Sequence, residues 1–84
     1  MFYVYFLQSE GNTDQRYIGL TTDLTIGLKR RLAEHNAGKA VHTSKFLPWR
    51  LVTYVTFSNQ AKATAFERYL KSGSGHAFAR KRLW

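Results

Sequence analysis

Apolar and polar positions alternate at the start of the chain. Phe2, Val4 and Phe6 fall on one side and Tyr3, Tyr5 and Leu7 on the other, the period of a strand with both faces at least partly covered. A polar stretch from Ser9 to Gln15 carries the turn formers Gly11, Asn12 and Asp14, and Arg16 to Leu20 then reads as a second short strand. The two predict a hairpin. After the capping types Thr21, Thr22 and Asp23 the period changes: Leu24, Leu28 and Leu32 recur at helical spacing, His35 follows on the same side, and Asn36-Ala37-Gly38 supplies a stop. Gly27 weakens the first turn, so the regular helix is expected to begin only near Leu28, with Thr25-Ile26-Gly27 as an irregular entry.

Residues 39–49 read as a basic loop, with Lys39, His42 and Lys45 leading to Pro48-Trp49. Arg50 to Phe57, rich in β-branched and aromatic residues, is the clearest strand in the chain. Ser58 stands where it would cap a helix from Asn59 to about Lys71, with Ala61, Ala65, Phe66, Tyr69 and Leu70 as its inner face and Gly73 ending it. A last helix, Ala77 to about Leu83, carries Arg80, Lys81 and Arg82. The order β-β-α-β-α-α predicts an α+β fold, a small three-stranded sheet with helices packed on it, in a single domain over residues 1–84.

Composition narrows what such a domain can do. The 84 residues carry 13 Lys+Arg against 5 Asp+Glu, a formal charge of +8, and contain no cysteine. Disulfides, thiolate zinc sites, iron–sulfur clusters and a cysteine nucleophile are thereby excluded. The apolar start lacks a basic leader and is too short for a signal peptide or a membrane span, so a soluble cytoplasmic protein with no membrane partner is expected. Excess positive charge makes a polyanion the default partner. The bland alternative is a soluble domain with a basic surface.

The scarcity of acids is the sharper constraint. Glu10 and Asp14 sit in the turn, Asp23 at a helix start and Glu34 beside His35; only Glu67 lies mid-helix near a packed side. A two-metal site needs several convergent carboxylates, so any metal here rests on Glu67. Mg²⁺ suits one carboxylate, because it keeps most of its waters and binds substrate phosphate. Read without function, Glu67 pairs with Lys71 one turn on, worth about 0.2–0.5 kcal/mol.

Arg31 shares one side of the first helix with Leu28, Leu32 and His35, where a guanidinium can clamp a phosphate and stabilise charge developing on it. Otherwise its stem covers the edge of the core. Tyr5 and Tyr17 stand on neighbouring strands. A phenol, with a pKa of about 10, is a poor base in water, yet cations or a metal beside it favour its phenolate and let it take a proton from water. Aromatic cross-strand pairs that merely stabilise a sheet are the plain alternative. Gly19, inside a strand, marks the close approach of another group.

Taken together these fragments resemble the GIY-YIG nuclease superfamily, and within it the small bacterial proteins similar to the N-terminal incision domain of the UvrC subunit of nucleotide-excision repair. Tyr3-Val4-Tyr5 and Tyr17-Ile18-Gly19 stand as the two half-motifs, followed by Thr22-Asp23-Leu24, Arg31-Leu32-Ala33-Glu34-His35-Asn36 with Gly38, Thr43-Ser44-Lys45, Pro48-Trp49-Arg50-Leu51-Val52 and Glu67 to Gly73. The resemblance implies an antiparallel three-stranded sheet and cleavage of a phosphodiester with one divalent ion, Mg²⁺ or Mn²⁺. It carries the base onto Tyr17, with Tyr5 beside it, the phosphate-steadying arginine onto Arg31, a histidine one turn later onto His35, and the metal ligand onto Glu67.

Three departures stand out. Tyr3 replaces the glycine of the first half-motif; the stretch from Leu24 to Arg31 is long, which leaves Arg30 as an alternative although the Arg-Leu-x-x-His register favours Arg31; and no asparagine follows Glu67. The expected function is a DNA endonuclease, DNA before RNA, of slight sequence selectivity. Lys39, His42, Lys45, Lys71, Arg80, Lys81 and Arg82 would supply phosphate contacts, and a partner protein or a DNA structure the targeting. The rival reading is a non-catalytic nucleic-acid-binding module on the same fold.

Overall fold

The computed structural model describes residues 1–22, 26–38 and 46–84, and of 26–28 and 31 the backbone alone. Among the described residues the elements run β1 (Phe2–Ser9), β2 (Arg16–Thr21), α1 (Ile26–Asn36), β3 (Trp49–Phe57), α2 (Gln60–Tyr69) and α3 (Gly73–Arg82). The strands form one antiparallel sheet in the order β2-β1-β3. This is the α+β fold and the element order that the sequence predicts. Asp23, Leu24 and the basic stretch 39–45 lie outside the described residues.

The hairpin closes through its own polar residues. Ser9 N–H donates to the Gln15 carbonyl at 3.0 Å, Asn12 N–H to the Ser9 hydroxyl at 3.1 Å, and Asp14 N–H to the Asn12 side-chain oxygen at 3.2 Å, so the turn formers satisfy the backbone locally. The resulting register sets Tyr5 opposite Gly19 and Leu7 opposite Tyr17. Along β3 the pairing with β1 shifts between Phe6 and Leu7, leaving Val52 as the extra residue of a bulge.

Alternation along β1 divides the interior into two cores. Val4 and Phe6 point to α2 and α3, where they meet Ala63, Leu70 and Ala79, flanked by Ile18, Val55 and Phe66. Tyr5 and Leu7 point the other way, to Trp49, Tyr17, Phe46, Leu51 and Leu32 of α1. All four of these β1 side chains are buried. The sheet is therefore the middle of three layers, with α1 on one face and α2 and α3 on the other.

Three expectations about the second half of the chain are corrected. Asn59, not Ser58, caps α2, its side-chain oxygen accepting from Lys62 N–H at 3.1 Å. The inner stripe of α2 is Ala63, Phe66 and Leu70, while Ala61, Ala65 and Tyr69 are exposed. More consequentially, Gly73 does not end α2 but begins α3, which starts at Gly73 rather than Ala77. Ser72 makes the elbow: its hydroxyl donates to the Tyr69 carbonyl at 2.6 Å and accepts from Gly75 N–H at 3.2 Å. A side chain at Gly75 would collide with the Tyr69 carbonyl and stand 2.8 Å from the Leu70 Cα, so glycine is what allows the second helix to turn back this tightly.

Candidate active site

Opposed strands bring the tyrosines together. The Tyr5 ring lies across the backbone of Gly19, and a Cβ built there would run into the Tyr5 Cζ and hydroxyl. The group whose approach the glycine admits is thus the phenol of the neighbouring strand. Tyr17, two residues before Gly19 on the same face, has its ring centroid 6.3 Å from that of Tyr5 at an interplanar angle of 36°.

Helix α1 adds the histidine. His35 is only 5% exposed, and its ring centroid is 4.6 Å from that of Tyr17. The next residue fixes it there: Asn36 donates from its amide nitrogen to the Trp49 carbonyl at 3.1 Å and accepts from Trp49 N–H at 2.5 Å. One asparagine side chain thereby ties the end of α1 to the start of β3. The helix stops at Gly38, whose φ is 75° and whose N–H donates to the His35 carbonyl at 3.1 Å.

Arg31 stands one helical turn before His35 on α1, and its side chain lies outside the description. Arg30, the alternative, faces outward, where its Nε is 3.9 Å from Glu34 on the exposed side of the helix.

Glu67 belongs to the opposite layer. It sits on α2, its side chain 18% exposed, and forms an ion pair with Lys71 one turn later. Lys71 in turn lines a groove of about 510 Å³ that runs along the free edge of β2. Arg16, Tyr17, His76, Arg80 and Trp84 are among its other walls, and Asp14 is the one carboxylate among them. Of the expected site residues, Tyr5, Tyr17 and His35 form one cluster on the α1 face, while Glu67 stands on α2 in the opposite layer, paired with the groove-lining Lys71. Tyr17 belongs to the cluster and also lines the groove.

A lone carboxylate such as that of Glu67 suits a divalent ion that takes its remaining ligands from water and phosphate. Among the described residues no group of three His, Asp or Glu could hold an ion by itself. The donor set therefore fits a metal that arrives with its substrate better than a permanently caged one.

Of the expected phosphate contacts, Lys71 and Arg80 line the groove; Lys81 and Arg82 are exposed on the last turn of α3; Lys39, His42 and Lys45 lie outside the described residues. Sequence reasoning missed Arg16, His76 and Trp84, which reach the groove from three separate elements of the chain, and the tethering role of Asn36. His76 and Arg80, four apart on α3, were the one visible signal.

A Tyr-x-Tyr strand paired with a Tyr-x-Gly strand, followed by a helix that lays a histidine on the second tyrosine, defines a class of small α+β domain. Residues 1–81 match the GIY-YIG catalytic domain, and the chain belongs to that family. UPF0213 protein YsiG of Lactococcus lactis subsp. lactis is 38% identical over 81 residues, covering 95% of this chain and 68% of its own length. A UPF0213 protein of Streptococcus pyogenes (strain Manfredo) is 39% identical over 70 residues, 82% of this chain and 70% of its own. One from Lactococcus lactis subsp. cremoris is 40% identical over 70 residues, 82% and 65%. Among the described residues no helix is long and apolar enough to cross a membrane.

Proposed function

We propose that residues 1–84 form one catalytic domain, a divalent-metal-dependent endonuclease that hydrolyses DNA phosphodiester bonds with little sequence selectivity. The observation that carries this reading is the position of Tyr17, whose ring meets His35 on one side and whose strand edge borders the basic groove on the other. A phosphate drawn to the groove arrives beside a phenol that a histidine and a second phenol hold in place.

In the proposed reaction the Tyr17 oxygen takes a proton from water, the hydroxide so formed adds to phosphorus, and the bond to the opposite ester oxygen breaks, that oxygen taking up a proton from solvent. Tyr5 and His35 hold the phenol's orientation, and Arg31 steadies the charge growing on the phosphate. Glu67 would hold Mg²⁺ or Mn²⁺, which when bound would supply further charge stabilisation on that phosphate. Lys71 holds Glu67 in the unliganded protein, and a phosphate in the groove competes for the same ammonium, leaving the carboxylate available. Lys39, His42, Lys45, Lys71, Arg80, Lys81 and Arg82 contribute the sequence-independent attraction.

The rival, a nucleic-acid-binding module without hydrolysis, draws on the Glu67–Lys71 pair, which a protein without a metal would also keep. One assay separates the two. Labelled branched, single-stranded and duplex DNA, and an RNA, are incubated with Mg²⁺ or Mn²⁺ and wild type, Glu67→Ala or Tyr17→Phe. Metal-dependent nicking that both substitutions abolish is the expected result. Equal residual cutting by all three proteins marks a contaminant and overturns the assignment, and salt-sensitive binding with no cutting establishes the module.

A further inference from the structure

The groove along β2 has features that attraction to phosphate alone does not require. Four of its walls are basic, Arg16, Lys71, His76 and Arg80, with Asp14 as the opposing charge. One wall is a flat aromatic that already carries a cation, since the Arg16 guanidinium lies over the Trp84 indole 5.0 Å from its centroid. Trp84 also packs nearly perpendicular to Phe6, with 5.2 Å between ring centroids. An indole and a guanidinium together are the surface on which unpaired bases stack, and the neighbouring cations are what a phosphate needs.

Size decides between paired and unpaired nucleic acid. A cavity of about 510 Å³ falls within the roughly 300–1,000 Å³ of pockets that hold one drug-sized molecule. It takes a nucleotide and is far too small for a duplex. We infer that this groove seats one unpaired nucleotide of the DNA strand next to the bond cut at Tyr17, its phosphate on Arg80, His76 and Lys71 and its base against the Trp84–Arg16 pair. The inference rests on the endonuclease reading only for the direction from which the strand comes; the binding itself needs no chemistry. It gives the domain a preference for junctions between paired and unpaired DNA through its own walls.

The test measures binding in EDTA, where nothing is cut. Fluorescence anisotropy compares a blunt duplex with a duplex of the same length bearing a short unpaired overhang. The proteins are wild type, the doubly substituted His76→Ala/Arg80→Gln, and Lys62→Gln, which removes a positive charge at the far end of α2. His76, Arg80 and Lys62 are all exposed, so the fold tolerates their replacement.

Wild type is expected to bind the overhang about tenfold more tightly than the blunt duplex, as one stacked base provides. The His76→Ala/Arg80→Gln protein should lose most of that ratio, whereas Lys62→Gln should weaken both ligands alike and keep it. Trp84→Leu should reduce the ratio as well. Equal affinity of wild type for the two ligands, or a ratio that survives in His76→Ala/Arg80→Gln, overturns the inference. Failures stay distinguishable: nicking without an overhang preference removes the groove and leaves the endonuclease, while an overhang preference without nicking on any substrate does the reverse.

Discussion

The two faces of the sheet are built from the same strands and differ in what they ask of their residues. Toward α2 and α3 the filling is Val4, Phe6, Leu70, Ala63 and Ala79, side chains that need only volume and complementary shape. Toward α1 it is Tyr5, Leu7, Trp49 and Tyr17, joined by the buried polar residues Ser9, Thr21 and His35. By the alternation of β1 and β2, Ser9 and Thr21 fall on the same side as Tyr5, Leu7 and Tyr17. Burying polar atoms is tolerable only when each finds a partner, and among the described residues no buried side-chain nitrogen or oxygen lacks one. One face secures the fold, and the other trades freely packed hydrocarbon for groups that can act.

That division is broken most sharply by paired substitutions. Phe6→Ala should remove about 3–5 kcal/mol of stability, a large share of what a domain this size holds, and urea unfolding will show it. Tyr17→Phe should leave the unfolding midpoint nearly unchanged while nicking falls about 10²–10⁴-fold. If Tyr17→Phe unfolds the protein as readily as Phe6→Ala does, the two faces are not specialised as described.

Gly19→Ala sharpens the comparison further. The added methyl meets the Tyr5 ring, and such overpacking costs about 1–3 kcal/mol. Because the displaced group is a phenol of the candidate site, nicking should fall by more than the thermal shift accounts for. Asn36→Ala removes both side-chain bonds to the Trp49 backbone and should cost a similar amount, about 1–3 kcal/mol, seen as a lower melting temperature, with a smaller loss of cutting as His35 loses its anchor.

The sequence made much of the α1 face legible, because its residues follow local rules. Period two placed Tyr5 and Tyr17 on paired strands, period 3.6 placed Arg31 and His35 on one helix, and a glycine in a strand announced a close approach. The α2–α3 elbow was not legible. Ser72-Gly73-Ser74-Gly75 has the composition of a helix stop, and what makes it a helix start is the nearness of Gly75 to the Tyr69 carbonyl, a contact no local pattern encodes. The inner face of α2 was ambiguous for a related reason: alanines at 61, 63 and 65 are equally suited to either side, and packing of Phe66 and Leu70 selects Ala63. The groove was hidden because Arg16, Lys71, His76, Arg80 and Trp84 meet only after β2, α2 and α3 have assembled.

The two hydrogen bonds from Asn36 to the backbone of Trp49 bear on how such a domain can vary over time. They pin together the two ends of the segment between α1 and β3, so the position of His35 does not depend on how long that segment is. Adding residues to a segment whose two ends are already held costs little, about 0.6 kcal/mol per doubling of its length. Changes of length between Gly38 and Phe46 therefore become a tolerated source of diversity, and lineages sharing the Tyr17–His35 contact are free to differ there, and with it in substrate, without rebuilding the site.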